Sequence, residues 1–503
     1  MKQAPLAQPE EALDLARYPM HIAGQAHDTG SWFESINPYT GSAWAEVARG
    51  DARSVELAVE AADRSLRHGA WAELTATERG KLMYRLADRL SEHALALAEL
   101  EVRDNGKLLA EMHSQTSYIP EWFRYYGGLA DKIEGSVLPL DKKGYLAYTR
   151  KSPIGVVGII TPWNSPLLLL AWKLAPALAA GCTVVIKPSE HTSASTVEFV
   201  RVLEAAGLPQ GVVNVVTGFG QDVGTPLVEH PLVRRIGFTG SDSTGRIIGA
   251  QAGGALKGFS LELGGKSPNI VFEDANLDEA ANGVVSGIFA ATGQTCIAGS
   301  RLLVHESVHD QLIEKIVTLA QSAQLGDPRE ATTQIGPVTT RMQLDKILEH
   351  IGAAKAQGAK AVLGGGVPQN PPHEGWFMEP TIFTNVDPES QLAQEEVFGP
   401  VLAVIAFRDE EEAVKLANGT RFGLGAGVWT KDLQRAFRMT EAIDSGMVWV
   451  NTYRTVSFMA PFGGTKDSGV GRENGLHAIE DYLQTKTTWI NTSAPTRNPF
   501  VLG

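Results

Sequence analysis

The sequence predicts an α/β protein made of two doubly wound lobes in series, and three observations carry that expectation. Between residues 154 and 263, five β-rich runs (154–160, 183–187, 212–217, 233–238 and 259–263) alternate with helical stretches. Beyond Ser267 the alternation begins again, with strand character at 269–272 and 302–304 around a helix that runs into Gly293. The runs of the first set end in polar or turn-forming residues, such as Thr161-Pro162-Trp163-Asn164 and Thr239-Gly240-Ser241. Alternating strand and helix give a parallel sheet, and ligands of such sheets sit outside the carboxyl ends of the strands.

Taken in order, residues 1 to about 50 read as a lead-in with short strands and a turn at Asn37-Pro38-Tyr39-Thr40-Gly41. Helical spacing of apolar residues over 52–68, 77–104 and around 118–133 predicts a helical layer. Residues 134–153 look extended and partly polar, suited to pairing outside the main body. The most apolar window, 167–180, is interrupted by Lys173 and Pro176 and bounded by Pro166 and Gly181, so a buried helix is expected rather than a membrane span. In the second lobe an amphipathic helix is expected from Ser307 to about Ser322, then a strand over 400–407, a helix over 410–416 and a strand over 447–451. The segment 461–469 is too rich in glycine for a regular element and is expected to line something. The tail 482–491 has strand character and would pair with 134–153 or with another subunit.

With 503 residues, 43% of them hydrophobic and 20% charged, the chain is an ordinary globular protein with about three domains' worth of length. Its 57 acidic against 44 basic residues leave a net charge of −13, which repels polyanions and argues against a nucleic-acid partner. Two cysteines, Cys182 and Cys296, make no disulfide framework and point to a reducing, cytoplasmic home. The N-terminal residues show no apolar signal segment, and no internal repeat occurs.

The stretch Gly293-Gln294-Thr295-Cys296-Ile297-Ala298-Gly299-Ser300 sets a thiol among small residues and turn formers, as a nucleophile is usually presented. A buried structural cysteine is the plain alternative. Gly218-Phe219-Gly220-Gln221-Asp222-Val223-Gly224 has one residue too many for the dinucleotide fingerprint. Thr239-Gly240-Ser241-Asp242-Ser243-Thr244-Gly245 is the better phosphate candidate, because it follows a strand and opens a helix; a serine N-cap without ligand is its plain reading. Lys187 ends a run that imitates the kinase lysine strand, but no other kinase motif accompanies it. Lys266-Ser267 misses a P-loop because Ser260 stands where a glycine is needed. His305-Glu306-Ser307-Val308-His309 matches the zinc-protease pattern literally, yet His305 ends a strand, so the two histidines do not share a helical face and no metal is expected.

Seven segments in order together resemble the NAD(P)-dependent aldehyde dehydrogenase superfamily. They are Pro162-Trp163-Asn164, Lys187-Pro188-Ser189-Glu190, Phe238-Thr239-Gly240-Ser241, Leu261-Glu262-Leu263-Gly264-Gly265-Lys266, Gly293-Gln294-Thr295-Cys296, Glu396-Val397-Phe398-Gly399-Pro400 and Pro461-Phe462-Gly463-Gly464. The resemblance implies a Rossmann-like cofactor domain (1–133 and 154–264), a catalytic domain (265–467) and a β arm (134–153 and 468–503) that bridges subunits into a homodimer or homotetramer. It implies Cys296 as nucleophile, Glu262 as general base, Asn164 with the Cys296 N–H as oxyanion donors, and Glu473 as a proton relay. For the cofactor it implies Lys187 and Glu190 at the adenosine ribose, Trp163 and Ser241 near the pyrophosphate, and Glu396 with Phe398 at the nicotinamide ribose. Gly220, Gly240 and Gly264 complete that set. NAD is expected over NADP, because a carboxylate at Glu190 accepts from both ribose hydroxyls and repels a 2′-phosphate.

The chemistry agrees with those roles. An aldehyde gives up hydride poorly, whereas a thiolate adduct is a tetrahedral oxyanion that expels it, leaving a thioester for water to hydrolyse. A shielded carboxylate such as Glu262 suits that last step. Three alternatives are weighed. A cysteine hydrolase would need a positioned histidine, which the motifs lack. A catalytically idle binding protein would not need Cys296, Glu262 and Asn164 intact. A CoA-acylating relative would generally lack the carboxylate at Glu262. The pocket expected from 115–125, Ser165, 168–172, Thr295, Ile297 and 456–462 is mostly apolar and suits a medium aromatic or aliphatic aldehyde. Arg454, just ahead of the last segment, could select aldehydes that carry a carboxylate, but an exposed arginine at a strand end is the simpler expectation.

Overall fold

The computed structural model describes residues 15–493 together with 495, 498 and 500. The first 14 residues, where the missing signal segment was read, lie outside the described residues, as do parts of the C-terminal tail beyond 493. The first lobe is an eight-stranded sheet whose five central strands are parallel. In spatial order these are Gly258–Glu262, Val233–Thr239, Val156–Ile160, Thr183–Lys187 and Val213–Val215. Each falls within about two residues of its predicted run. Outer strands pair antiparallel at both edges: Gly469–Val470 beside Gly258–Glu262, and Met20–Ile22 with Gln25–His27 beyond Val213–Val215.

The helical layer forms as the apolar spacing requires, with one correction. The run predicted as one helix over 77–104 is two, Ala76–Glu92 and Ala94–Asn105. His93 leaves helical geometry between them (φ −103°, ψ 6°), and Gly106 ends the second in the left-handed region. Thr75 and Glu78 close a reciprocal capping box on the first. The next helix, Leu109–Leu129, starts nine residues before the predicted 118 because Pro120, which sits inside it, obscures the period. The apolar window becomes the helix Pro166–Ala180, buried along nearly its whole length, Lys173 included. No helix among the described residues is long and apolar enough to cross a membrane.

The second lobe is a seven-stranded sheet in the order Lys360–Leu363, Thr381–Thr384, Val401–Phe407, Arg301–His305, Pro268–Val271, Gly425–Trp429 and Met447–Val450, with only the first antiparallel. The strand Gly425–Trp429, next to the edge strand Met447–Val450, has no strand signal in the sequence, because two of its five residues are glycine. The predicted amphipathic helix is His309–Gln321, preceded by a 3₁₀ turn at Glu306–Val308. The tail strand Leu483–Asn491 pairs antiparallel with Tyr145–Pro153 within the same chain, from Leu483 opposite Pro153 to Asn491 opposite Tyr145. A two-stranded ribbon results, with Leu146, Trp489 and Ile490 exposed on it.

Candidate active site

In the first sheet, Val156–Ile160 and Val233–Thr239 are neighbours in space but not consecutive strands, so the winding reverses between them. Such a switch point opens a crevice at the strand ends. A cavity of about 780 Å³ lies there, and Trp163, Lys187, Glu190, Gly220, Gly240 and Ser241 are in its wall. Trp163, Gly240 and Ser241 also line a narrower cavity of about 130 Å³, which continues to Asn164, Gly264, Cys296, Glu396 and Phe398. One continuous cleft therefore joins eleven of the thirteen residues singled out from the sequence.

At the wide end, Lys187 Nζ donates to the Pro188 carbonyl at 2.7 Å and lies 3.5 Å from Glu190 Oε2. Burial draws the Lys187 pKa down, while Glu190 opposes. Ser241 caps the helix Asp242–Gly254, its Oγ accepting from the Thr244 N–H at 3.3 Å, and both residues line the wide cavity. The lead-in segment adds a residue that the motifs did not reveal. Arg49 donates to Asp222 Oδ2 at 2.7 Å and covers the Phe219 ring, which holds the Gly220 turn in place.

At the narrow end, Trp163 and Phe398 meet edge to face, 5.2 Å between centroids at 90°. Phe398 is held in the left-handed region (φ 56°), and Gln343 Nε2 donates to the carbonyls of Val397 and Phe398. Glu396 Oε1 accepts from the Gly265 N–H at 3.0 Å, and burial raises its pKa to about 7. A Cβ at Gly264 would lie 2.3 Å from Glu396 Oε2, so only glycine leaves room for that carboxylate.

Cys296 follows a loop in which Ala291, Thr292 and Gly293 are all left-handed (φ 55°, 53° and 69°). Side chains and backbone groups from elsewhere hold it. The Ala291 N–H donates to Glu111 Oε1 at 2.8 Å, the Thr292 hydroxyl to the Gly336 carbonyl at 3.0 Å, and Asn164 Nδ2 to the Gln294 carbonyl at 3.0 Å. The thiol is half-buried, and burial with the charges of Glu396 and Glu262 pushes its pKa up to about 12. Cys182, by contrast, is wholly buried, and its Sγ donates to the Tyr482 carbonyl at 3.3 Å.

Glu262 and Glu473 line neither cavity and lie buried together behind it. Neither carboxylate oxygen of Glu262 has a hydrogen-bond partner among the described residues. Burial, with the Glu473 charge, raises its pKa well above the usual carboxylate range, against Lys173 and Arg472. Its Oε1 faces Gly463, where a Cβ would come within 2.7 Å. Glu473 accepts from Ser260 Oγ at 3.2 Å and lies 3.3 Å from Lys173 Nζ, which donates to Thr239 Oγ1 at 2.7 Å. In the sequence Lys173 shows only as an interruption of an apolar run. A charge in such a run was itself the signal, since a lysine is almost never fully buried without a partner.

Arg454 is half-buried rather than exposed, and is left-handed at φ 65°; its Nη1 donates to the Ser286 carbonyl at 2.9 Å. The two histidines of the zinc-like pattern have separate partners: His305 bonds Ser307 Oγ and the Arg408 carbonyl, His309 bonds Asp310. Among the described residues no cluster of metal-ligating side chains occurs.

The cleft fits a dinucleotide by its own features: the start of a helix in its wall, a Lys–Glu pair at one end, and a carboxylate over Gly264 at the other. Comparison with known proteins agrees. The (Z)-2-((N-methylformamido)methylene)-5-hydroxybutyrolactone dehydrogenase of Acinetobacter baylyi is 46% identical over 491 residues, covering 97% of this chain and all of that one. Aldehyde dehydrogenase 1 of Tanacetum cinerariifolium is 44% identical, with 95% of each chain covered. The NAD+ complex of an aldehyde dehydrogenase from Bacillus cereus superposes with a TM-score of 0.92 at 40% identity, over 95% of this chain and 97% of that one. The family model described as "Aldehyde dehydrogenase family" matches residues 25–488, and so the chain belongs to the aldehyde dehydrogenase family.

Proposed function

We propose that this NAD-linked aldehyde dehydrogenase works through a covalent thioester on Cys296, and that the position of Glu262 carries the reading. Glu262 is a buried carboxylate with both oxygens unpartnered and a raised pKa, close enough to Cys296 for its charge to act on the thiol. A group so placed is a base in waiting. With its pKa at about 12 the resting thiol is protonated, so attack on the aldehyde requires a proton acceptor; Glu262, whose charge acts on the thiol, takes that role when it is ionised. Cys296 Sγ bonds to the carbonyl carbon, and the oxyanion that forms accepts from Asn164 Nδ2 and the Cys296 N–H. NAD, when bound, supplies the hydride acceptor that turns this adduct into a thioester. Glu262 then takes a proton from water as it attacks the thioester, and the acid leaves. The buried Lys173–Glu473 pair gives that proton a route away from Glu262.

Lys187, Glu190, Gly220, Gly240, Ser241, Gly264, Trp163, Glu396 and Phe398 would hold the cofactor, with NAD preferred to NADP because of Glu190. We assign 15–133 and 154–264 to the cofactor domain, 265–467 to the catalytic domain, and 134–153 with 483–491 to the arm; Gly469–Val470, expected in the arm, is an edge strand of the cofactor sheet. The ribbon's exposed apolar residues suit assembly into a homodimer or homotetramer, and the two free cysteines suit the cytoplasm. The residues expected around the aldehyde form an aromatic cluster: Trp122 stacks on Trp172, Phe458 packs on Tyr118 and Trp122, and Phe462 packs on Trp172. Such surroundings suit an aldehyde of medium length. The Acinetobacter relative is named for a hydroxybutyrolactone, and a 5-hydroxylactone ring opens to an aldehyde acid.

Acid quench of the enzyme during turnover of a medium-chain aldehyde, followed by peptide mass spectrometry, tests the mechanism. An acyl group on the Cys296 peptide is the expected result. NADH formation by Cys296→Ala would overturn it, as would loss of turnover in Cys182→Ala, which should cost only about 1 kcal/mol of packing.

A further inference from the structure

One side chain reaches from the second lobe to the helix end that follows Ser241. Arg421 stands just ahead of the short strand Phe422–Gly423. Its Nη1 donates to Asp242 Oδ2 at 2.5 Å, across 179 positions of chain, and its Nη2 donates to Glu395 Oε2 at 3.0 Å. Asp242 is the first residue of the helix Asp242–Gly254, and Glu395 is the neighbour of Glu396. Asp467 helps to fix the guanidinium: its N–H donates to the Arg421 carbonyl at 3.0 Å, and its Oδ2 lies 3.5 Å from Nη1. The ring of Phe422 packs against the guanidinium, with 4.2 Å from its centroid to the guanidinium carbon.

Asp242 needs such a partner. Ser241 and Thr244, on either side of it in the first turn, line the wide cavity, whereas Asp242 lines neither cavity. An acid in the first turn suits the helix dipole, but it also sets a negative charge beside the place proposed for the pyrophosphate. Arg421 is the only cation hydrogen-bonded to the Asp242 carboxylate among the described residues, because Arg246, one turn along the same helix, is paired with Asp467 at 2.6 Å. Burial works to raise the Asp242 pKa, yet the hydrogen bond and charge of Arg421 outweigh it and hold the carboxyl below its usual range. The acid is therefore ionised at neutral pH, and its charge is felt at Glu396. A single ion pair at a surface does little. Here three acids from three separate segments converge on one planar guanidinium, which fixes where it sits.

We propose that Arg421 is a positioning residue for the dinucleotide: it draws the Asp242 carboxylate out of the cleft and cancels its charge, so that the helix end beside Ser241 accepts a pyrophosphate. The proposal rests on the reading of the cleft as a NAD site. Glu395 and Asp467 hold the guanidinium in place from its own lobe. Without Arg421 the ionised Asp242 would be left uncancelled beside a ligand of the same charge. Arg421 itself lines neither cavity, so its effect falls on binding rather than on the reacting atoms.

The test is a fluorescence titration of NADH against the full chain. Arg421→Gln is expected to weaken NADH binding by about fivefold or more, and to raise the KM for NAD by a similar factor while kcat at saturating NAD does not fall. Arg421→Lys, which keeps the charge but not the fork, should recover part of the loss. The deciding variant combines Arg421→Gln with Asp242→Asn: NADH affinity should return to within about twofold of wild type, since the charge that needed cancelling is gone. A residue that merely braced the two lobes would give a double variant as weak as the single one or weaker, and that result overturns the proposal. So does an NADH affinity that Arg421→Gln leaves unchanged. If Arg421→Gln does not fold, Asp242→Asn alone decides: NADH binding at least as tight as in wild type supports the proposal, and weaker binding overturns it. Binding of NADH by wild type upholds the dinucleotide reading independently, whereas no binding by wild type overturns that reading and the proposal with it.

Discussion

The side-chain amide of Asn164 donates to the main-chain carbonyl of Gln294 over 3.0 Å, which ties the end of a cofactor-sheet strand to the loop that carries Cys296. The same amide is the proposed oxyanion donor, and its second N–H has no partner among the described residues. Asn164→Ala should therefore lower kcat by about 10²- to 10³-fold, the usual loss for one such donor. It should also loosen the loop, raising hydrogen exchange at 291–296. Turnover within about threefold of wild type would remove Asn164 from the oxyanion site.

Glu262→Gln separates the two halves of the reaction. If Glu262 serves only hydrolysis, a burst of about one NADH per site precedes slow turnover, measured by stopped-flow absorbance. Loss of the burst as well would show that Glu262 also takes the thiol proton. That second outcome is the one the raised Cys296 pKa favours.

The raised pKa of Glu262 also predicts a stability trend. Below the ordinary value of 4.5 both folded and unfolded states hold the proton, and burial of the neutral acid carries no charge penalty. As pH rises past 4.5 the unfolded state ionises while the folded state keeps its proton, so stability falls until the folded pKa is passed. A glutamine at this position cannot ionise in either state. Thermal melts of Glu262→Gln and wild type should thus diverge in the variant's favour as pH rises from 4.5 and then run parallel. Curves that stay parallel from acid to alkaline pH would contradict the buried, unpaired carboxylate.

Cofactor choice follows from the Lys187–Glu190 pair, 3.5 Å apart at the wide end of the cleft. A 2′-phosphate would meet the Glu190 charge, but the carboxylate is half-buried and can swing away, and Lys187 favours either cofactor. NAD should win by about 1–3 kcal/mol. Glu190→Ser should narrow the ratio of kcat/KM for NAD over NADP, and a wild type that prefers NADP would refute the assignment.

The local elements of the first lobe and the chemistry-bearing segments are legible in the amino-acid order alone. Strands such as Thr183–Lys187 are continuous β-branched runs, which only a buried parallel sheet accommodates, so they are visible one residue at a time. Cys296 stood out because glycines and hydroxyl residues surround it. Strands such as Gly425–Trp429 were not visible, because their residues have little strand preference and are held by their neighbours in the sheet. Tertiary structure alone decided where the thiol points. Cys296 precedes its strand, Arg301–His305, rather than following one, so the rule that ligands sit at strand ends does not place it. It reaches the cofactor cleft because Glu111 and Gly336 hold Ala291 and Thr292 in a left-handed shape their own propensities oppose, and Asn164 ties down Gln294 beyond them. The same is true of Lys173, Glu473 and Glu262. They come from segments far apart in the chain, and charges become a site only when folding removes the water between them.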